Sequence, residues 1–162
     1  MALTQVQGGM ILASGQSIPK AALPTGSVLQ VVNSTFISAN TTTSTSLVTT
    51  GYSVSITPTS SSSKILITFG GEMGNNTNNG SGIRLAIYRG ATNLTGSTGY
   101  LEYTQTSGIA LYQTVQWLDS PATTSSTTYT IYYCASNTGT AYIQANSSAD
   151  FPAVMTLMEI AA

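Results

Sequence analysis

The side chains that could carry chemistry are few and scattered along the chain. There is no His, there is one Cys, and the five carboxylates do not cluster: Glu72, Glu102, Asp119, Asp150 and Glu159. A glycosidase holds two carboxyl groups at a defined separation, and no spacing here proposes such a pair. Zinc sites are built from His and Cys clusters, which this chain lacks. We therefore predict no catalytic residue, no metal site and no cofactor, and we predict that the protein is not an enzyme.

The single thiol is predicted to be structural. Cys134 lies in the run Tyr129–Ala135, which reads as a strand, and a lone Cys cannot form a disulfide within the chain. A nucleophilic thiolate would need an activating base, and no His is present to supply one. Free Cys usually behaves as a small buried apolar residue, and that is the role we expect for Cys134.

Two polar segments carry side chains suited to binding an uncharged ligand. The segment 74–82 is rich in Gly and Asn, and the segment 95–106 contains two tyrosines. Asn amides can hydrogen-bond sugar hydroxyls, and Tyr pairs an apolar ring with a polar tip. The candidate receptor contacts are therefore Asn75, Asn76, Asn78, Asn79, Tyr100 and Tyr103. The alternatives are a solvated turn for the asparagines, or a calcium loop formed by carbonyls near Glu72, and packing in the core for the tyrosines.

Charge and hydropathy exclude several classes of partner. The net charge of −1 and the four basic residues leave little to hold a phosphate backbone, so we expect no nucleic acid. No apolar run approaches the ~20 residues that span a bilayer, and the opening residues lack a basic signal-peptide region. We expect that the protein does not insert into a membrane. We also expect that it is synthesised in a cytosol. Charged residues make up only 6% of the chain, so exposed strand edges must be covered, and a closed oligomer would cover them.

The stretch Ser60–Gly90 carries the clearest strand signals. Two segments alternate with period two and are joined by the Asn-rich loop, which favours strands that each bury one face. The predicted inward side chains are Ile65, Ile67 and Phe69 in the first segment and Ile83, Leu85 and Ile87 in the second. We interpret this stretch as a long hairpin at the centre of the domain.

The rest of the chain divides into an arm and a head. Turn signals about every ten residues separate eight to ten short strands from Ser27 onward, which is typical of a sandwich or barrel. Residues 1–26 show no lasting period, and we predict an extended arm followed by a β-sandwich head at 27–162. The arm could instead be a loose terminus. We favour an ordered arm because four apolar residues would otherwise face water: Met10, Ile11, Leu12 and Leu23.

Four segments of the sequence resemble a known group of proteins. The opening MALTQVQGGMI, the stretch Ser60–Gly90, SPATTSSTTYTIYYCASN at 120–137 and TLMEIAA at 156–162 resemble the receptor-binding head modules of bacteriophage tail-fibre-like proteins. The resemblance implies an all-β, jelly-roll-like sandwich similar to the C1q and tumour-necrosis-factor heads. It also implies a homotrimer, with the last strand near the three-fold axis and the N-terminal arm attached to the virion. The arm's apolar residues Met10, Ile11, Leu12 and Leu23 would then make that attachment.

The length departs from that group, because 162 residues leave no room for a long shaft. We predict a short trimeric tail fibre or spike that binds a host-surface glycan or protein receptor, located in the virion and assembled in the bacterial cytoplasm. The alternative is a capsid decoration protein, a head fibre or cement protein that binds the shell through its arm. A polysaccharide depolymerase is the third and least favoured reading.

Overall fold

The computed structural model describes residues 23–76, 81–96, 99–103, 111–144 and 151–162. These residues form eleven β-strands in two antiparallel sheets, which pack face to face as a sandwich. No described residue lies in a helix. The predicted all-β sandwich is therefore confirmed.

Sheet A holds the first and last strands of the fold side by side. The strand β1 (Val28–Phe36) pairs with β11 (Ala153–Ile160), β11 pairs with β4 (Lys64–Asn75), and β4 pairs with β8 (Leu111–Asp119). Two short strands, β10 (Ala141–Ile143) and β2 (Asn40–Thr42), continue the sheet beyond the start of β11, where β10 pairs with the last residues of β4.

Sheet B faces sheet A across the core. Its order begins with β3 (Val48–Ile56), followed by β9 (Thr127–Ala135) and β5 (Gly82–Arg89). The far edge of β5 pairs with β7 (Tyr100–Tyr103) along its first half and with β6 (Thr92–Asn93) at its end. The long strands thus alternate between sheets along the chain, with β3 in B, β4 in A and β5 in B. Together with the pairing of first and last strands, this is the arrangement of a jelly roll.

The predicted hairpin at Ser60–Gly90 is wrong. The strands β4 and β5 belong to different sheets, and their ladders are formed with other strands. Their inward side chains do face one another, but across the sandwich and not within one sheet: Ile65, Ile67 and Phe69 from β4, and Ile83, Leu85 and Ile87 from β5 are all at most 2% exposed. Period-two alternation predicts which face of a strand is buried, but it does not predict which strand lies beside it.

The core is completed by the inward faces of β11 in sheet A and β9 in sheet B. Met155 and Leu157 of β11 and Tyr129 and Ile131 of β9 are fully buried. Cys134 points to the outer side of sheet B, opposite to Tyr133, yet it is 2% exposed, as predicted for a small apolar residue. Burial raises the pKa of its thiol, which the nearby Arg84 charge only partly opposes. A buried, protonated thiol is a poor nucleophile.

The strand β3 contains a bulge. It runs from Val48 to Ile56 and shifts its register against β9 between Thr49 and Ser53. Gly51 has a φ of 75°, which a side chain would strain, and so permits the extra residue of the bulge. Within the bulge, the Thr50 hydroxyl donates to the carbonyl of Ile131 at 2.8 Å.

The strand directions give the sandwich two distinct ends. Val28, Lys64, Asp119 and Ile160 lie at one end, which we call the base. The segments 24–27, 57–63 and 120–126 and the final residues 161–162 are at this end. The opposite end, which we call the tip, carries the connections after β1, β4 and β9. The predicted arm would therefore leave the head at the base.

Candidate interaction surfaces

The outer face of sheet A carries an uninterrupted line of apolar side chains. The register places four residues in one line across all four long strands, which we call the apolar row: Val31, Met158, Leu66 and Leu118. Val31 is 56% exposed and Leu118 is 52% exposed, and the two central residues are half-buried. The row has one residue on each of the four long strands of sheet A, which lie about 4.8 Å apart, and it therefore crosses all four.

The lines of residues on either side of the apolar row differ in character. Toward the base, Val28 at 50% exposure and the half-buried Ile160 extend the apolar surface as far as Lys64. Toward the tip, the next line is polar: Asn33, Thr156, Thr68 and Gln116. A contiguous apolar surface of this kind on a soluble protein marks an interaction site more often than chance.

A buried carboxylate ties the base of the sandwich together. Glu159 of β11 points inward and is fully buried. Its Oε1 accepts hydrogen bonds from the Thr59 backbone N–H and hydroxyl, both at 2.7 Å, and its Oε2 accepts one from the Gln30 Nε2 at 2.6 Å. Burial by itself raises the pKa of Glu159, but the hydrogen bonds from Gln30 and Thr59 help to outweigh it and hold the pKa below its usual range.

A second inward carboxylate joins the two sheets. Asp119 of β8 receives both of its close contacts from the opposite sheet: Arg89 Nη1 donates to its two oxygens at 2.8 Å, and the Tyr129 hydroxyl donates to Oδ2 at 2.7 Å. Burial, and then the hydrogen bond to Asp119, raise the pKa of Tyr129 far above its ordinary value, so the phenol stays a donor. Ile65 separates Asp119 from Glu159 in the register.

These contacts bear on the carboxylates that a hydrolase would need. Asp119 and Glu159 point into the sandwich and are occupied by internal donors. Glu72 lies in β4, in register with Tyr112 of β8. The side chain of Glu102 and the whole of Asp150 lie outside the described residues.

The base also contains a cavity of about 380 Å³ beside the start of the head. Its lining combines small apolar and hydroxyl side chains: Leu23, Leu29, Thr59, Ser60, Ser62, Ser63, Ala161 and Ala162. Leu23, a predicted attachment residue, thus packs against the head. The other predicted attachment residues, Met10, Ile11 and Leu12, lie outside the described residues.

At the tip, the two connections that follow β4 and β9 are hydrogen-bonded to one another. Asn75 is fully buried, and its Nδ2 donates to the carbonyls of Gly82 at 3.1 Å and Thr138 at 3.2 Å. Asn76 is exposed, and its Oδ1 accepts from the Thr140 N–H at 2.8 Å. With no exposed surface, Asn75 supports this end from within and does not face a receptor, whereas Asn76 lies at the surface.

The remaining predicted receptor contacts are only partly described. Tyr100 and Tyr103 bound β7, with Tyr100 in register with Leu85 and Tyr103 in register with Gly82. Their side chains lie outside the described residues, as do Asn78 and Asn79 entirely. Their role as receptor contacts stays a prediction.

The outer face of sheet B presents an aromatic pair. Tyr88 of β5 and Tyr132 of β9 stack with ring centroids 3.9 Å apart and ring planes 25° apart. Both are half-buried, whereas the next tyrosine, Tyr133, is 2% exposed on the inner face. Tyr132 and Tyr133 thus point to opposite faces of the sheet, as successive residues of a strand do. The pairing itself depends on β5 and β9 being neighbours, which no local pattern states.

Within the described ranges, no three His, Cys, Asp or Glu side chains come together as metal ligands. In the same ranges, no helix is long and apolar enough to cross a membrane.

Comparison with known proteins identifies no family for the chain. No family model matches the sequence, and no curated protein sequence matches it. Among solved structures, the chain is similar to the VP2 subviral particle of infectious bursal disease virus at 14% identity and a TM-score of 0.42, over 82% of this chain and 38% of that one. It is similar to the T=1 particles derived from infectious bursal virus at 14% identity and a TM-score of 0.45, over 96% of this chain and 42% of that one. The chain spans about two fifths of the length of these viral chains.

Proposed function

We propose that the protein is a structural subunit of a bacteriophage virion, a short homotrimeric tail fibre or spike whose heads associate through the outer face of sheet A. The observation that carries this proposal is the apolar row, with Val31 and Leu118 more than half exposed in the single chain. The virion assignment rests on the sequence segments that resemble tail-fibre-like heads.

The chemistry of this face favours a second and third copy of the chain as its occupants. Leu66 and Met158 occupy the middle of the row, and the polar line beside it is made of uncharged hydroxyl and amide groups. Two such faces meet without burying an unpaired charge, which is the main cost of joining protein surfaces. Met158 belongs to the last strand, the strand that the resemblance places near the three-fold axis.

The proposed orientation follows from the two ends of the sandwich. The base carries the start of the head, so the arm would run from there toward the virion. The tip and the outer face of sheet B would then face away from the particle, where a receptor can reach them. A capsid decoration protein would use the same trimer with its arm on the shell, and this remains the second candidate. Because Asp119 and Glu159 have internal partners, we place a depolymerase last and propose a protein without enzyme activity.

The location in the particle is tested by electron microscopy of purified virions labelled with gold-conjugated antibody to the head. Label at the tail or baseplate is the expected result. Label spread over the capsid would replace the tail fibre with the decoration protein. Particles without any label would overturn the virion assignment itself.

Deleting residues 1–22 is expected to leave the head folded and trimeric while abolishing incorporation into virions. Leu23 and the turn before β1 are retained, including the bond from the Gly26 N–H to the Ala161 carbonyl at 2.8 Å. The melting temperature, the mass in solution and the amount of protein in purified particles measure the three parts of this prediction. A truncated chain that fails to fold would show that residues 1–22 belong to the head.

A further inference from the structure

If the outer face of sheet A forms the assembly interface, the outer face of sheet B stays accessible to a ligand. We propose that the stacked pair Tyr88–Tyr132 and the hydroxyl groups beside it form a carbohydrate-binding surface. The inference rests on the proposed function for its setting, because a trimer joined through sheet A turns the outer face of sheet B toward the surroundings.

The hydrogen bonding of the pair differs from that of two core tyrosines, Tyr52 and Tyr129. Tyr129 donates its hydroxyl to Asp119, and Tyr52 donates its hydroxyl to the Ser38 carbonyl. In the part of the chain that the structure describes, no hydrogen bond joins the hydroxyl of Tyr88 or Tyr132 to another residue. Two half-exposed phenols with unused hydroxyls offer a ligand both an apolar edge and two polar tips.

The surroundings of the pair favour a sugar over other ligands. On the β3 side, the outward positions are small and polar, with Thr49 in register with Tyr132 and the Ser55 and Thr128 hydroxyls 2.7 Å apart. On the other side, Arg84 is half-buried, and the outward residues Ala86 and Cys134 are buried, so the open part of the face is the pair itself and the β3 side. The described part of this face thus lacks the exposed aliphatic anchors of a protein interface.

The chemistry of a sugar matches this surface in three respects. The apolar C–H side of a pyranose ring packs on an aromatic ring, and its hydroxyls exchange hydrogen bonds with phenol, Ser and Thr hydroxyls. A single guanidinium, Arg84, can bond a hydroxyl or an acidic substituent. The ligand class is therefore a neutral or weakly acidic glycan.

The test uses the full chain on a printed array of bacterial surface glycans, followed by calorimetry with each glycan that binds. Tyr88→Thr and Tyr132→Thr remove the ring but place a residue with high strand propensity there, and each is expected to weaken binding about tenfold or more. Tyr132→Phe keeps the stack and removes one hydroxyl, so it should lose less. Phe151→Thr is the matched control, because Phe151 is 67% exposed but lies at the tip, and it should bind as wild type does.

Each outcome has one meaning. An array without any bound glycan would overturn the proposal, and so would glycan binding that both Tyr→Thr variants retain. Loss of binding in Phe151→Thr alone would move the site to the tip. A melting temperature within a few degrees of wild type shows that a variant is folded. None of these outcomes alters the mass in solution or the label on virions, so failure of this site and failure of the proposed function are separable.

Discussion

Glu159→Ala is expected to lower the free energy of unfolding of the head by about 3 kcal/mol. The substitution removes a buried carboxylate that accepts three hydrogen bonds, from the Thr59 N–H, the Thr59 hydroxyl and the Gln30 amide. Hydrogen bonds to a charged group contribute about 1.5–3 kcal/mol each, and part of the sum is recovered because Thr59 is exposed and the Gln30 amide also donates to the Thr57 carbonyl. Urea unfolding of the two proteins at equal concentration measures the difference.

Ser53→Ala is the control, because Ser53 is an exposed polar residue on the outer side of β3. Removal of its hydroxyl should change stability by less than about 1 kcal/mol. Equal effects of the two substitutions would contradict the role assigned to Glu159.

The same carboxylate makes a distinct contribution to acid sensitivity. The pKa of Glu159 is lower in the folded protein than in the unfolded chain, so ionisation of this group stabilises the fold above the unfolded value of about 4.3. That stabilisation is lost as the pH falls from there through the folded pKa. Wild type should therefore lose stability more steeply than Glu159→Gln below about pH 4.

Val31→Glu is expected to dissociate the oligomer, weakening association about 100-fold or more. Val31 is 56% exposed in the single chain, so a charge there is tolerated by the isolated head. In the assembly it would meet the apolar rows of the neighbouring copies, and burying an unpaired charge costs several kcal/mol. Sedimentation over a range of concentrations measures the shift.

Ser53→Glu places the same charge on the outer face of sheet B, where Ser53 is exposed on β3. This control should leave the mass in solution unchanged. A Val31→Glu protein with the wild-type mass would place the assembly interface elsewhere than the apolar row.

The sequence predicted correctly which side of a strand is buried, but it did not predict which strands pair. The alternation in 65–69 and 83–87 identified the buried side chains of β4 and β5, because side-chain direction is a local property of a strand. The same pattern suggested a hairpin where the chain crosses between sheets. Strand partners are decided by long-range packing, which a local pattern does not contain.

The interaction surfaces were hidden from the sequence for the same reason. Val31, Leu66, Leu118 and Met158 lie far apart along the chain, and only the register of four strands brings them into one row. Tyr88 and Tyr132 likewise become a pair only when β5 and β9 are neighbours. Conversely, Asn75 looked like a loop contact because of its polar neighbours, yet it satisfies carbonyls within the tip.

The mass of the full-length protein in solution, measured by multi-angle light scattering at micromolar concentration, tests the central claim most directly. The proposed trimer predicts three times the 16.7 kDa of the chain, and the Val31→Glu variant run beside it should shift toward one chain. A wild-type mass of 16.7 kDa at that concentration would contradict assembly through the outer face of sheet A.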